Sequence, residues 1–175
     1  MKTRTLVWIV GVLLVAAVVV PFFRNAAPRA AGPSGMTGMA APVFALQDDR
    51  GAAASLAALR GKIVVLNLWA TWCPPCRAEM PDLARLARAY AGDGVVVIGV
   101  DQGESAVRAA AFAHSLRIDY PIWIDDTQRY GRTFTALGLP TTVFIGRDGI
   151  VEHGVDGALT YHQMQDALTP LLGRS

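Results

Sequence analysis

Five residues restrict this chain more than any others: Trp72-Cys73-Pro74-Pro75-Cys76, which hold its only two cysteines. They follow an unbroken apolar run, residues 63–69 (IVVLNLW). A run of that length without alternation fits a strand buried on both faces. They precede residues 74–91, where Met80, Leu83, Ala84 and Ala87 recur at helical spacing. The backbone must therefore turn from sheet into helix at residue 73.

That turn is chemically specific. A helix N-terminus carries roughly half a positive charge and unpaired N–H groups. Both favour a cysteine thiolate, the reactive form, over the thiol. Cys76 lies one helical turn on, within disulfide reach of Cys73. Cys73 is then the attacking thiol and Cys76 the resolving thiol. A structural zinc site needs about four ligands, whereas this chain offers two cysteines and three scattered histidines, His114, His153 and His162. A static structural disulfide closing so short a loop would constrain the unfolded chain very little. Asp125-Asp126 reads as a loop and cap rather than a metal site. Redox chemistry is the leading reading, with no metal, flavin or nucleotide implied.

Around this centre the spacing predicts strands near residues 43–47, 95–100, 121–124, 141–145 and 150–155. It predicts a helical turn over 56–60 and helices over 104–116 and 127–137. Thr160 is placed to cap a last helix ending near 172, and Asp148-Gly149 marks a hairpin. Helices alternating with buried strands imply an α/β fold with a largely parallel sheet and an antiparallel closing edge. About 130 residues suffice for one core.

Residues 6–23 (LVWIVGVLLVAAVVVPFF) are apolar throughout. As a helix they would span about 27 Å, close to the roughly 30 Å hydrocarbon core of a bilayer. An uncleaved signal anchor is the leading reading; a cleaved signal peptide and a buried core helix are the alternatives. Flanking charges orient the segment only weakly. Residues 24–41, rich in Ala, Gly and Pro, read as a flexible tether. The expected organisation is a membrane anchor over 1–23, a linker over 24–41 and one domain over 42–175. The catalytic domain is expected on the extracytoplasmic (periplasmic) side of the inner, cytoplasmic membrane, in a single-pass arrangement. Of the 16 basic side chains, Lys2, Arg4, Arg24 and Arg29 precede residue 42, with no acidic one beside them. The remaining 12 meet all 14 acidic side chains, so the domain lacks the basic face that nucleic acid would need.

The segment LNLWATWCPPCRAEMP resembles the active site of the thioredoxin superfamily, and specifically of the membrane-anchored TlpA/ResA-like thiol–disulfide oxidoreductases. The resemblance extends to APVFALQDDRG, GVDQGESAVRAAAFA and GLPTTVFIGRDG, and so to essentially the whole domain. It implies a thioredoxin-like fold, a central mixed sheet flanked by helices, with a βα insertion over roughly residues 100–125. It also implies an extracytoplasmic reductant of protein disulfides that takes electrons from a membrane thiol donor. Its clients would be apocytochrome c or a copper-site protein.

Three to six residues past the cysteines, Glu79 shares their helix face. The resemblance implies that it takes or gives a proton as Cys76 attacks; the alternative is an ordinary solvated carboxylate. Asn67 stands where thioredoxins have a buried acid, which moves proton duty towards Glu79. Pro81, inside the helix, should kink it. Pro140 corresponds to the superfamily's cis-proline beside the disulfide, and Leu139 before it would offer backbone groups to an extended substrate. Trp72, Pro74 and Pro75 complete the expected substrate surface. Pro75 also removes an N–H from the first helical turn, which should destabilise the thiolate and make the pair more reducing.

Other functions stay open. A thiol peroxidase of the AhpC/TSA-like redoxin type shares the fold, but Thr71 sits two residues before Cys73 where three would be expected. An oxidant of secreted proteins and a non-catalytic, tethered redox-sensing or binding module are further alternatives.

Overall fold

The structure, a computed structural model, describes residues 32–33 and 35–173. The apolar run at 6–23 and most of the tether lie outside the described residues. Among the described residues no helix is long and apolar enough to cross a membrane.

The elements follow in the order β1 (Gly32–Pro33), β2 (Leu46–Asp48), β3 (Ala53–Ala54), β4 (Ile63–Trp69), α1 (Pro74–Tyr90), β5 (Val95–Gln102), α2 (Ala106–Ser115), β6 (Ile122–Asp125), α3 (Arg129–Thr133), β7 (Thr141–Ile145), β8 (Val151–Asp156) and α4 (Tyr161–Leu172). The strands form one sheet in the order β1-β8-β7-β4-β5-β6-β2-β3. β4, β5 and β6 run parallel, while β7, β8 and the outer strands pair antiparallel. The sheet is mixed and thioredoxin-like, as the resemblance implies, but it is not largely parallel as the alternation of elements suggested: among the described strands only β4–β5 and β5–β6 are parallel, and antiparallel pairing reaches the centre at β4–β7. The expected insertion holds α2 and β6, which lies parallel outside β5.

Every residue of β4 is buried, because successive side chains feed opposite faces of a sheet covered on both sides. On one face Ile63, Val65 and Trp69 meet Met80, Leu83 and Leu86 of α1 and Met164 and Leu168 of α4. On the other, Val64, Leu66 and Leu68 meet Tyr130 of α3, Phe134 and the segment around Met36. α4 starts at the expected residue: Thr160 and Gln163 form a reciprocal capping box.

Three expectations shift. The strand expected at 43–47 is β2, Leu46–Asp48, whose register is set by pairing of Gln47 with Ile124; Val43 is left exposed. The helix expected over 127–137 shrinks to Arg129–Thr133, since Gln128 (φ 55°) and Thr135 (φ 49°) adopt left-handed backbone at either end, a conformation that an α-helix interior excludes. Residues 36–41, assigned to the tether, pack along β8: Met36 is buried, and Gly38 N–H and Ala41 N–H donate to Val151 and Gly149. The apolar side chain of Met36, set among small residues, anchors that stretch to the core.

Candidate active site at the Cys73–Cys76 disulfide

Cys73 caps α1 from the end of the buried strand, and its sulfur is bonded to that of Cys76. The Cys73 sulfur also accepts the N–H of Cys76 at 3.3 Å. In a helix cap the acceptor takes N–H groups from the second and third helical residues. Here the second is Pro75, which has none, so Cys76 supplies the one such bond. Pro74 and Pro75 are exposed. Cys73 itself is only 3% exposed and Cys76 fully buried, so the oxidised pair is covered although Cys73 is the expected attacking thiol. Trp72, at 63% exposed, stands on the surface beside it.

Glu79 is not a solvated carboxylate: it is 3% exposed. Its Oε1 accepts from Asn67 Nδ2 at 2.6 Å and its Oε2 from the Leu159 N–H at 2.9 Å. Burial pushes its carboxyl up to about 7, against the lowering effect of those two bonds. A group that titrates near neutrality behind the disulfide suits proton exchange. Asn67 Nδ2 also reaches Thr142 Oγ1 at 3.0 Å, while its Oδ1 is buried without a partner. An amide turned over would accept the proton of a neutral Glu79 instead. Asn67 thus matches either state of Glu79. Pro81 lies within α1, one turn past Arg77.

Two more buried polar atoms, Trp69 Nε1 and Tyr120 Oη, lack partners on this face. Trp69 Nε1 closes over Gly99, where a Cβ would meet Ile122 Cδ1 at 2.9 Å, Trp69 Nε1 at 3.0 Å and the Tyr120 ring at 3.1 Å. Burial, reinforced by the charge of Glu79, holds the Tyr120 phenol well above its ordinary range.

The Leu139–Pro140 peptide is cis. Leu139 and Trp72 line one groove of about 420 Å³ together with Gln102, Gln128, Arg132 and Ala136. Pro74, Pro75 and Pro140 do not line it. Among the described residues the peptide groups of Leu139 make no hydrogen bond.

Sequence reasoning missed a second polar cluster on the other side of the cysteine turn. Glu104 accepts the Thr71 N–H at 2.6 Å and the Thr71 hydroxyl at 2.7 Å, and pairs with Arg108 at 2.7 Å. Asp101, fully buried at the end of β5, accepts the Glu104 N–H at 2.8 Å. A carboxylate at the C-terminal end of a central parallel strand was the available signal, since ligands and chemistry gather at that edge.

No group of three or more metal-ligating side chains occurs among the described residues.

Comparison with known proteins agrees with this geometry. The profile of the AhpC/TSA family matches residues 37–154. Thiol-disulfide oxidoreductase ResA of Bacillus subtilis (strain 168) is 33% identical over 165 residues, covering 94% of this chain and 92% of that protein. ResA of Geobacillus kaustophilus is 35% identical over 128 residues, covering 73% of this chain and 74% of that protein. Among solved structures, a thiol:disulfide interchange protein DsbE from Chlorobium tepidum superposes with a TM-score of 0.73 at 27% identity, covering 78% of this chain and 98% of that one.

Proposed function

The chain belongs to the AhpC/TSA family and is a thiol–disulfide oxidoreductase of the ResA kind, and on that premise we propose that it reduces protein disulfides on the extracytoplasmic side of the cytoplasmic membrane. The observation that carries the reading is the Cys73–Cys76 pair backed by a buried carboxyl, Glu79, that titrates near neutrality.

In the reduced enzyme the Cys73 thiolate attacks a substrate disulfide. One substrate sulfur leaves and takes up a proton, and a mixed disulfide forms. Cys76 then attacks the Cys73 sulfur, giving its proton to the Glu79 carboxylate. The second substrate sulfur leaves, and the enzyme pair is oxidised. A membrane thiol donor returns the two electrons. The unbonded peptide groups of Leu139, in the groove it shares with exposed Trp72, support an extended substrate strand at this edge. The missing N–H of Pro75 supports the reducing direction, because the thiolate gains one donor fewer. The apolar run at 6–23 supports a single membrane anchor. Apocytochrome c or a copper-site protein is the proposed client.

Insulin reduction and the equilibrium potential against glutathione test this reading. A reductant gives fast insulin precipitation and a potential well below that of the glutathione pool. A potential near the strongly oxidising end overturns it in favour of an oxidant. The family name favours one second reading, thiol peroxidase. The Thr71 hydroxyl, however, is already committed to Glu104 and Arg108. Peroxide turnover without a protein disulfide would restore that reading.

A further inference from the structure

Asp101 has no part in the thiol chemistry described above, yet it is tied to the turn that carries it. It pairs in parallel register with Trp69, the last residue of β4. Oδ1 accepts the Glu104 N–H; Oδ2 is buried with no partner. The Asp101 and Glu104 carboxyl groups lie within reach of each other. Glu104 in turn holds both the N–H and the hydroxyl of Thr71, two residues before Cys73. The charged groups that face Asp101 are Glu104 from the loop after β5 and Arg108 from α2.

Two carboxylates, of which Asp101 is fully buried, face one guanidinium that reaches solvent, and one negative charge is left in excess. An unpaired, unsolvated anion is costly, and like charges this close cannot both ionise freely. A single proton between the two acids resolves both problems: it turns the unpartnered Oδ2 of Asp101 into a donor and removes one of the two like charges.

We propose that Asp101 is a positioning residue for Cys73: it shares one proton with Glu104 and, through the two bonds from Thr71 to Glu104, sets how firmly the turn bearing Trp72 and Cys73 is held. This rests on the reading of Cys73 as the attacking thiol. Burial, with Glu104 beside it, pushes Asp101 up to about 7. Glu104 is held below its ordinary range: burial acts to raise it, but the bonds from Thr71 and the nearby Arg108 outweigh that. The shared proton is therefore lost near neutrality. Its loss adds a negative charge behind the turn, which disfavours the Cys73 thiolate.

The test is the rate of Cys73 alkylation by iodoacetamide in the reduced full chain in detergent, from pH 5 to 9.5. It is run in a Glu79→Gln background, so that the Asp101 pair is the one carboxyl centre left titrating near the sulfurs. With Asp101 present, the log rate should bend near pH 7. Asp101→Asn stays neutral and can still donate to Glu104; it should give a single thiol titration and a rate at pH 8 about two- to threefold higher. An unchanged profile in Asp101→Asn overturns the proposal. Should that variant not fold, carboxyl carbon NMR of the unsubstituted protein decides: linked titration of Asp101 and Glu104 near pH 7 supports the shared proton, and independent titrations overturn it. Labelling of Cys76 in place of Cys73, seen by peptide mass, would overturn the attacking-thiol reading and this inference with it.

Discussion

Asn67 donates to Glu79 across 2.6 Å, joining the middle of the central strand to the helix behind the disulfide. The pair keeps an ionisable group one helical turn past Cys76 while satisfying it, and Asn67 adds no second charge. Proton exchange at this pair thereby falls to Glu79 and not to Asn67.

The buried carboxyl makes stability depend on pH. A carboxyl raised from 4.5 to about 7 on folding binds its proton more tightly in the native state. Its contribution is full below about pH 4.5 and is lost as pH rises through about 7. Urea unfolding of the oxidised protein should therefore show stability falling by up to about 3 kcal/mol between pH 5 and 8. Asp101, raised in the same direction, adds to the fall. Glu79→Gln should flatten the curve. A variant curve as steep as the parent's would remove Glu79 from this account.

The same substitution should slow turnover. Positioned general acid–base groups contribute about 10²–10⁴-fold. Glu79→Gln should reduce insulin about a hundredfold more slowly, with the mixed disulfide building up, because resolution by Cys76 is the step that loses its proton acceptor. Equal rates for the two proteins across pH 6–8 would show Glu79 to be structural.

Restoring the donor that Pro75 lacks should raise the potential. Pro75→Ala adds an N–H at the second helical residue, aimed at the capping sulfur. A hydrogen bond to a charged group is worth about 1.5–3 kcal/mol, or about 30–60 mV for a two-electron couple. The glutathione equilibrium should shift by that much towards oxidising values. A shift in the opposite direction would contradict the role given to the prolines.

Blocking the second thiol should hold the client. Cys76→Ser leaves Cys73 able to attack but nothing to release it, so non-reducing gels should show a stable mixed disulfide, cleared by dithiothreitol. Cys73→Ser should show none. Adducts of equal yield in both variants would reverse the assignment of the two sulfurs.

The centre of the fold was legible in the sequence. β4 and β7 match the expected boundaries, because apolar runs covered on both faces leave no other assignment. Thr160 marked the last helix through its own side chain. The edges were less legible. α3 is cut short by two residues in left-handed backbone, Gln128 and Thr135, and no residue type at those positions announces it. The docking of residues 36–41 depends on Met36 finding a distant surface. Within the site, the helix spacing put Glu79 on the right face, but its burial depends on the Leu159 N–H, eighty positions away. Asp101 and Glu104 were not singled out, because nothing local shows that Thr71 will meet Glu104.

The bond from the Leu159 amide to Glu79 has a practical corollary. That amide begins the approach to the last helix, remote in sequence from either sulfur, yet its proton rests on the carboxyl that serves them. Its nitrogen resonance should respond whenever Glu79 gains or loses charge. A spectroscopist can thus watch the reaction centre from the far end of the chain, with no probe attached to the thiols themselves.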